Sequence, residues 1–215
     1  MMQIEENGHQ MGFLRKFMME NAGAAAVKRI KEKFDPIWFL DDWKRILVFA
    51  GLGNNGGDGL VIARHLAGYG ANVTVFILGK PDNIRSEECS WNWSLLEKMK
   101  SVKLLTGGNL EELNNLKFEI IIDGILGTGI SGEIREPHAS AIEFINGKVW
   151  GGVVSVDVPS GLNPDTGEVN KICVNAVMTV TFHRMKVGMP KAKDMCGKIF
   201  VEKIGIPLEA EIGVL

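Results

Sequence analysis

Arg45-Ile46-Leu47-Val48-Phe49-Ala50-Gly51 is an apolar run, and Gly53-Asn54-Asn55-Gly56-Gly57-Asp58-Gly59 follows it almost at once. The apolar run is rich in β-branched and aromatic residues, which is typical of a buried strand. Residues 60–67, which come next, carry an apolar stripe at helical spacing. The sequence therefore predicts a strand, a glycine-rich loop and a helix in direct succession, the repeating unit of an α/β fold.

The glycine-rich loop contains more than a tight turn requires: four glycines, two amides and a carboxylate in seven residues. At the N-terminus of a helix such a loop presents free backbone N–H groups, which suit a phosphate or another anion. The two common phosphate loops do not fit, because no Gly-Lys-Ser/Thr follows and the glycine spacing is not that of the dinucleotide motif. We interpret the segment as a ligand-binding loop of another kind.

Composition excludes several classes of protein. Hydrophobic residues make up 46% of the 215 residues and charged residues 23%, as in an average soluble protein. The net charge of −2 gives no reason to expect nucleic acid or an anionic membrane as a partner.

The N-terminus is acidic and has no hydrophobic signal core, so we expect a cytoplasmic protein. Three widely spaced cysteines argue against a disulfide framework and against a zinc site.

The rest of the chain alternates between strand and helix patterns, without a break that suggests a linker. We therefore expect one domain over residues 1–215, with a mostly parallel sheet covered by helices on both faces. Strands are predicted at 45–51, 72–78, 102–105, 118–122, 153–156, 176–182 and 198–204, and helices at 12–34, 60–67, 86–100, 110–116 and 139–146.

Two aspartates stand where predicted strands end, Asp123 before the segment 124–130 and Asp157 before 158–162. Ligands of open parallel sheets bind at the carboxyl ends of strands, although helix capping and turn formation also explain such aspartates. Two nearby carboxylates without an evident Arg or Lys predict either a raised pKa or a bound cation. Carboxylate, amide and hydroxyl oxygens suit an alkali or alkaline-earth ion better than zinc or copper.

Three motifs in this order resemble one known family: GNNGGDG at 53–59, DGILGTGI at 123–130 and VDVPSGL at 156–162. Two further segments support the match, Phe17-Met18-Met19-Glu20-Asn21-Ala22-Gly23 and Thr179-Val180-Thr181-Phe182 with Lys186 and Gly188. The resemblance is to the YjeF N-terminal domain family, the NAD(P)H-hydrate epimerases, and it covers residues from about 5 to 206.

This resemblance implies a Rossmann-like three-layer α/β/α sandwich that forms a homodimer. It also implies an isomerase of nicotinamide nucleotide repair, which interconverts the R and S epimers at C6 of hydrated NADH and NADPH (NADHX and NADPHX). A dehydratase that accepts one epimer then restores NAD(P)H. That dehydratase is fused to many members, and we expect a separate protein to supply it here.

The resemblance also implies the roles of individual residues. Asp157 would contact the damaged nicotinamide ring and act as the catalytic acid and base. One K⁺ ion per subunit would be bound by Asn55, Asp123 and Ser160. The remaining substrate contacts would come from Asn54, Asn55, Gly56, Gly57, Asp58, Gly127, Thr128, Gly129, Ile130, Ser131, Gly132 and Glu133.

Two chemical routes to the epimer and two other functions stay open on the sequence. Protonation of the C6 hydroxyl by a carboxyl group would release water and leave an iminium-like cation, to which water returns on the opposite face. Ring opening to an aldehyde and reclosure gives the same product. Some relatives act as dimeric scaffolds without catalysis. A ribokinase-type kinase fits less well, because no catalytic aspartate with an anion hole at a long helix start is evident.

Overall fold

The computed structural model describes residues 1–38, 45–107, 109–129, 132–147, 151–169 and 171–214, and the backbone alone for residues 35–38. In these ranges, seven strands form one sheet in the order β3-β2-β1-β4-β5-β6-β7, and every neighbouring pair is parallel. The predicted parallel sheet is confirmed. The strands are β1 (Arg45–Ala50), β2 (Asn72–Leu78), β3 (Val102–Gly107), β4 (Ile120–Gly124), β5 (Gly152–Val156), β6 (Met178–Phe182) and β7 (Lys198–Glu202).

Helices cover both faces of the sheet. Alternate residues of β1 show the two layers, because Ile46 and Val48 pack into a core with α2 and α3, whereas Leu47 and Phe49 pack into a second core with α5. The three-layer α/β/α architecture follows. The helices are α1 (Met2–Gln10), α2 (Arg15–Trp38), α3 (Asn54–Gly68), α4 (Glu87–Leu96), α5 (His138–Gly147) and α6 (Lys193–Cys196). None of the helices in the described ranges is both long and apolar enough to cross a membrane.

The strand order places a switch point between β1 and β4. The chain runs outward from β1 through β2 to β3, and then returns to add β4 on the other side of β1. Helices α3 and α5 leave these central strands toward opposite faces, which opens a crevice at the carboxyl edge of the sheet. All three motifs of the sequence lie at this edge.

The first motif is not the loop that the sequence predicts. Residues 54–58 form the first turns of α3, where the N–H of Gly57 donates to the carbonyl of Gly53 at 3.0 Å. A Cβ atom on Gly56 would lie 1.9 Å from the carbonyl oxygen of Gly51. Glycine is therefore required by the close approach of the helix start to the end of β1, and not by a turn.

Other elements also differ from the prediction, and the clearest differences are in the helices. Helix α2 begins at Arg15 and not at residue 12, and the predicted helix at 110–116 is a 3₁₀ turn over Glu111–Leu113. Helix α1 has no predicted counterpart, because its sequence is polar and only Ile4 and Gly8 are buried. A tertiary contact holds it, since the Asn7 side chain donates to the carbonyl of Ala210 at 2.9 Å.

Candidate functional site

A cavity of about 820 Å³ opens at the carboxyl edge of the sheet, at the switch point between β1 and β4. It brings together most of the predicted substrate-binding residues from three separate segments. Gly56 and Gly57 are buried within α3 behind its wall, and Ile130 and Ser131 lie outside the described residues. The predicted residues that line the cavity are Asn54, Asn55, Asp58, Gly127, Thr128, Gly129, Gly132, Glu133 and Asp157.

The three predicted K⁺ ligands form one cluster around the backbone of Leu126. The Nδ2 atom of Asn55 donates to the Leu126 carbonyl at 3.0 Å, and the Leu126 N–H donates to the Ser160 hydroxyl at 2.9 Å. The Ser160 hydroxyl in turn donates to Asp123. The Oδ1 atom of Asn55 is buried and has no hydrogen-bond partner among the described residues. A buried amide oxygen without a partner carries an unmet desolvation cost, so this position favours an additional ligand.

Asp123 is fully buried at the end of β4, and polar groups surround its carboxylate. It accepts hydrogen bonds from the Ser155 hydroxyl at 2.8 Å and from the Ser160 N–H at 2.9 Å. Burial raises the pKa of this carboxyl above its usual range, although the hydrogen bonds from Ser160 and Ser155 oppose the shift. A nearby cation would lower the free energy of the ionised form, which fits the predicted metal-ligand role.

Asp157 has different surroundings from those the sequence predicts. Its carboxylate pairs with the buried ammonium group of Lys186, so the expectation of a carboxylate without a nearby cation is wrong for this residue. The same oxygen accepts hydrogen bonds from the Thr181 hydroxyl and the Phe182 N–H, both at 3.1 Å. The backbone of Asp157 is in the left-handed region (φ 64°), which non-glycine residues rarely adopt and which is common at functional sites. Lys186 was missed as a partner because 29 residues separate it from Asp157.

Asp58 and Glu5 line the same cavity as Asp157, and we call these three carboxyl groups its carboxylate end. Burial, followed by the negative charges of Asp157 and Glu5, raises the pKa of Asp58 well above its usual range, and Lys186 partly opposes the shift. Burial also raises the pKa of Glu5. Asp157 is thus ion-paired with Lys186, whereas the raised pKa of Asp58 favours its neutral form. Two carboxyl groups in such contrasting surroundings are suited to general acid–base chemistry.

Six ionisable residues line the cavity that were not among the predicted site residues: Glu5, Arg15, Arg85, Glu88, Arg135 and His138. His138 stands immediately before the predicted helix at 139–146. The other five belong to none of the sequence motifs, so no local signal marks them.

The cysteines take no part in the site. Cys89, Cys173 and Cys196 are all buried and free, and burial raises the pKa of their thiols to about 12, 12 and 11. A thiol with so high a pKa carries almost no nucleophilic thiolate at neutral pH.

Comparisons with known proteins agree with the fold and with the motifs. The chain is 62% identical over 215 residues to the NAD(P)H-hydrate epimerase of Nitrosopumilus maritimus (strain SCM1), which covers 100% of this chain and 97% of that protein. It is 60% identical, with the same coverage, to the NAD(P)H-hydrate epimerase of Cenarchaeum symbiosum (strain A). A bifunctional NAD(P)H-hydrate repair enzyme Nnr from Methanothermobacter thermautotrophicus is 45% identical over 213 residues, which are 96% of this chain and 39% of that protein.

A solved structure shows the same fold. The crystal structure of yeast ynu0 (YNL200c) superposes with a TM-score of 0.76 at 29% sequence identity, and the match covers 90% of this chain and 80% of that one. The family model described as YjeF-related protein N-terminus matches residues 15–188, which include all three motifs. The chain therefore belongs to the family of YjeF-related protein N-terminal domains.

Proposed function

We propose that this protein is an NAD(P)H-hydrate epimerase, an isomerase that interconverts the R and S epimers of NADHX and NADPHX. The observation that carries the proposal is the match along the whole chain, at 60% identity or more, to two relatives with this name. The site geometry agrees with it, since the motif residues of three strand ends line one cavity with two carboxyl groups in contrasting surroundings.

The reaction needs a proton at the C6 hydroxyl and a negative charge near the ring. Asp157 is suited to the charge, because its ion pair with Lys186 and two further hydrogen bonds hold the carboxylate in one orientation. In the iminium route, the protonated hydroxyl leaves as water, the C6–O bond breaks and the ring nitrogen supplies the electron pair. Water then forms a new C6–O bond on the opposite face and gives up a proton. A fixed carboxylate stabilises the cation between these two steps, and ring opening to the aldehyde reaches the same epimer.

We infer that Asn55, Asp123 and Ser160 hold one K⁺ ion. The unpartnered, buried Oδ1 of Asn55 supports this inference, as does the buried Asp123 carboxylate beside the Ser160 hydroxyl. All three side chains offer hard oxygen atoms, which alkali ions prefer. When bound, the ion would supply positive charge beside Asp123 and hold the segment after β4 against the start of α3. The described residues contribute the binding and orientation, and the proton transfers belong to the carboxyl groups of the cavity.

Three further properties are proposed from the family resemblance: a homodimer, a separate dehydratase that consumes the S epimer, and a cytoplasmic location. Exposed apolar side chains at the junction of α1 and α2, Met11, Leu14 and Phe17, support a contact with a second copy. The mass of the protein in solution, measured by light scattering, tests the homodimer.

The epimerase activity is tested with a mixture of R and S NADHX. An excess of an S-specific dehydratase removes the S epimer, and the remaining R epimer is followed with and without this protein. We expect R to disappear faster than by its spontaneous epimerisation. A rate equal to the spontaneous one, with K⁺ present and the protein folded, would point to a binding or scaffold function instead.

A further inference from the structure

Ionisable side chains of both signs line the cavity: Glu5, Arg15, Asp58, Arg85, Glu88, Glu133, Arg135, His138 and Asp157. Glu5, Asp58 and Asp157 form its carboxylate end, since the charge of Asp157 acts on the other two. Arg85 follows β2 and Asp157 follows β5, which lies three strands from β2 in the sheet, a separation of roughly 14 Å at the usual spacing of strands. Arg85 therefore lies away from the carboxylate end of the cavity.

The backbone fixes the position of both arginines. The N–H of Arg85 donates to the carbonyl of Leu52 at 2.8 Å, which ties Arg85 to the segment between β1 and α3. The carbonyl of Arg135 accepts from the N–H of His138 at 3.0 Å and from that of Ala139 at 3.2 Å, at the start of α5. Arg85 therefore lies beside the N-terminus of α3, and Arg135 lies at the start of α5.

Neither guanidinium group has a partner among the described residues. Arg85 and Arg135 are exposed side chains that line the cavity, and neither forms an ion pair with a described carboxylate. Glu88 and Glu133 also line the cavity, and neither takes part in an ion pair in the described ranges. Burial, with a contribution from the charge of Arg85, lowers the pKa of His138, which favours the neutral form of this ring. Both arginines are free to bind an anion.

The N-terminus of α3 adds to the positive character of this end. In the described part of the chain no side chain caps this helix, and Gly53 at its N-cap leaves open space where a Cβ atom would stand. An uncapped helix N-terminus favours a negative charge. Planar guanidinium groups form paired, charge-assisted hydrogen bonds with phosphate oxygens.

We propose that Arg85 and Arg135 form a phosphate-binding pair, which holds the phosphate groups of a dinucleotide while its nicotinamide ring lies at the carboxylate end. The inference rests on the proposed function, which supplies a substrate with phosphates at a distance from the reacting ring. The phosphate oxygens belong either to the pyrophosphate or to the additional 2′-phosphate of NADPHX. The same groups would then decide whether the enzyme discriminates between NADHX and NADPHX.

The first arm of the test measures binding without catalysis. ADP-ribose and its 2′-phosphate analogue are titrated by calorimetry into the wild type and into the double variant Arg85→Gln/Arg135→Gln. The matched control is Lys98→Gln/Lys100→Gln, which loses the same charge at exposed positions just before β3, at the opposite edge of the sheet. We expect the Kd of the arginine variant to rise by about ten- to a hundredfold, the usual effect of losing hydrogen bonds to a charged group, and that of the control to change little.

The two nucleotides distinguish the two sources of phosphate. If the arginine variant binds both nucleotides more weakly to the same extent, the arginine pair binds the pyrophosphate. If it binds only the 2′-phosphate analogue more weakly, the pair binds the ribose phosphate. Either result supports the proposal. The proposal would be overturned if the arginine variant had the same Kd as the lysine control, or if the wild type bound neither nucleotide.

The second arm separates this proposal from the proposed function. Epimerisation of NADHX and NADPHX is measured for the same variants, and we expect KM to rise while kcat changes little, because the arginines lie away from the reacting ring. Wild-type activity with an unchanged KM in the arginine variant would contradict the phosphate pair and leave the epimerase intact. A wild type without activity would contradict the epimerase, and the binding arm would still decide the phosphate pair.

Discussion

Asp58, Asp123 and Asp157 have three different environments at one edge of the sheet. Asp123 is fully buried and is hydrogen-bonded by Ser155 and Ser160, and Asp157 is ion-paired with Lys186. Asp58 has no hydrogen bond or ion pair from its side chain to any described residue, and burial raises its pKa. The identity of a carboxylate in a motif therefore says little about its charge, which depends on partners from distant segments.

The raised pKa of Asp58 predicts a stability effect with a definite sign. A carboxyl group with a pKa higher in the folded than in the unfolded chain destabilises the fold as pH rises above the unfolded pKa of about 3.9. Asp58→Asn removes this cost, so we expect its Tm to exceed that of the wild type by about 2 °C or more at pH 7. The difference should shrink toward pH 4. Thermal unfolding at both pH values measures it, with the exposed Asp82→Asn variant as control; a Tm gain that is the same at pH 4 and pH 7 would contradict the assignment.

Asn55 gives the residue-level test of the K⁺ site. We expect KCl to raise the Tm of the wild type relative to N-methylglucamine chloride at equal ionic strength, because an ion that binds only the folded state stabilises it. Asn55→Ala removes the unpartnered Oδ1 atom and should abolish the difference. Asn54→Ala is the matched control, since Asn54 is the exposed neighbour and is not a predicted ligand. An equal rise in Tm with K⁺ in both variants would show that Asn55 is not a K⁺ ligand.

At the scale of elements, all seven strands lie close to their predicted positions. Apolar runs bounded by turn residues identify them, and β1 ends one residue before the predicted boundary. The order of strands could not be read from these runs, because it depends on contacts between distant segments. Helix α1 could not be predicted either, since a contact with the C-terminal 3₁₀ turn (Leu208–Glu211), through Asn7 and Ala210, supports it.

The glycine-rich motif shows why the site was predicted only in part. Its composition marked a ligand-binding segment, and the cavity does contain Asn54, Asn55 and Asp58. Its conformation was predicted wrongly, because glycines favour turns in general, whereas here Gly56 permits a helix to start against the end of β1. Arg85 and Arg135 carry no local signal, and the ion pair of Lys186 with Asp157 forms only in the folded chain, because 29 residues separate the two.

Two glycines of α3 give a matched test of this explanation. Alanine at Gly56 would place its Cβ atom 1.9 Å from the Gly51 carbonyl oxygen, whereas nothing lies within 4 Å of the corresponding position at Gly68. We expect Gly56→Ala to destabilise the protein by about 3 kcal/mol or more, and Gly68→Ala to stabilise it by about 0.5 kcal/mol through its helix propensity. Denaturant unfolding measures both. Equal stability of the two variants would show that the helix start does not depend on this contact.

At the scale of the whole molecule, the parallel sheet brings distant segments to one cavity. The residues at 52–55, 58, 85, 88, 125–129, 132–135, 138 and 157 line it together with residues of α1 and α2, and their separation in the chain exceeds 100 residues. Because the order of strands reverses between β1 and β4, these segments meet at the edge where open α/β sheets bind ligands. The fold therefore accounts for one site to which distant segments contribute both acidic and basic side chains.

The central claim is that this cavity epimerises hydrated NAD(P)H through Asp157. The direct measurement follows the conversion of purified R NADHX into the S epimer by NMR, with wild type, Asp157→Asn and the exposed control Asp165→Asn. Asparagine keeps the Oδ1 atom that accepts from Thr181 and Phe182 but removes the charge. We predict that the wild type and the control accelerate the conversion, and that Asp157→Asn, folded by circular dichroism, is slower by about two to four decades. A folded Asp157→Asn with full activity would contradict the role of Asp157, and a wild type without acceleration would contradict the epimerase itself.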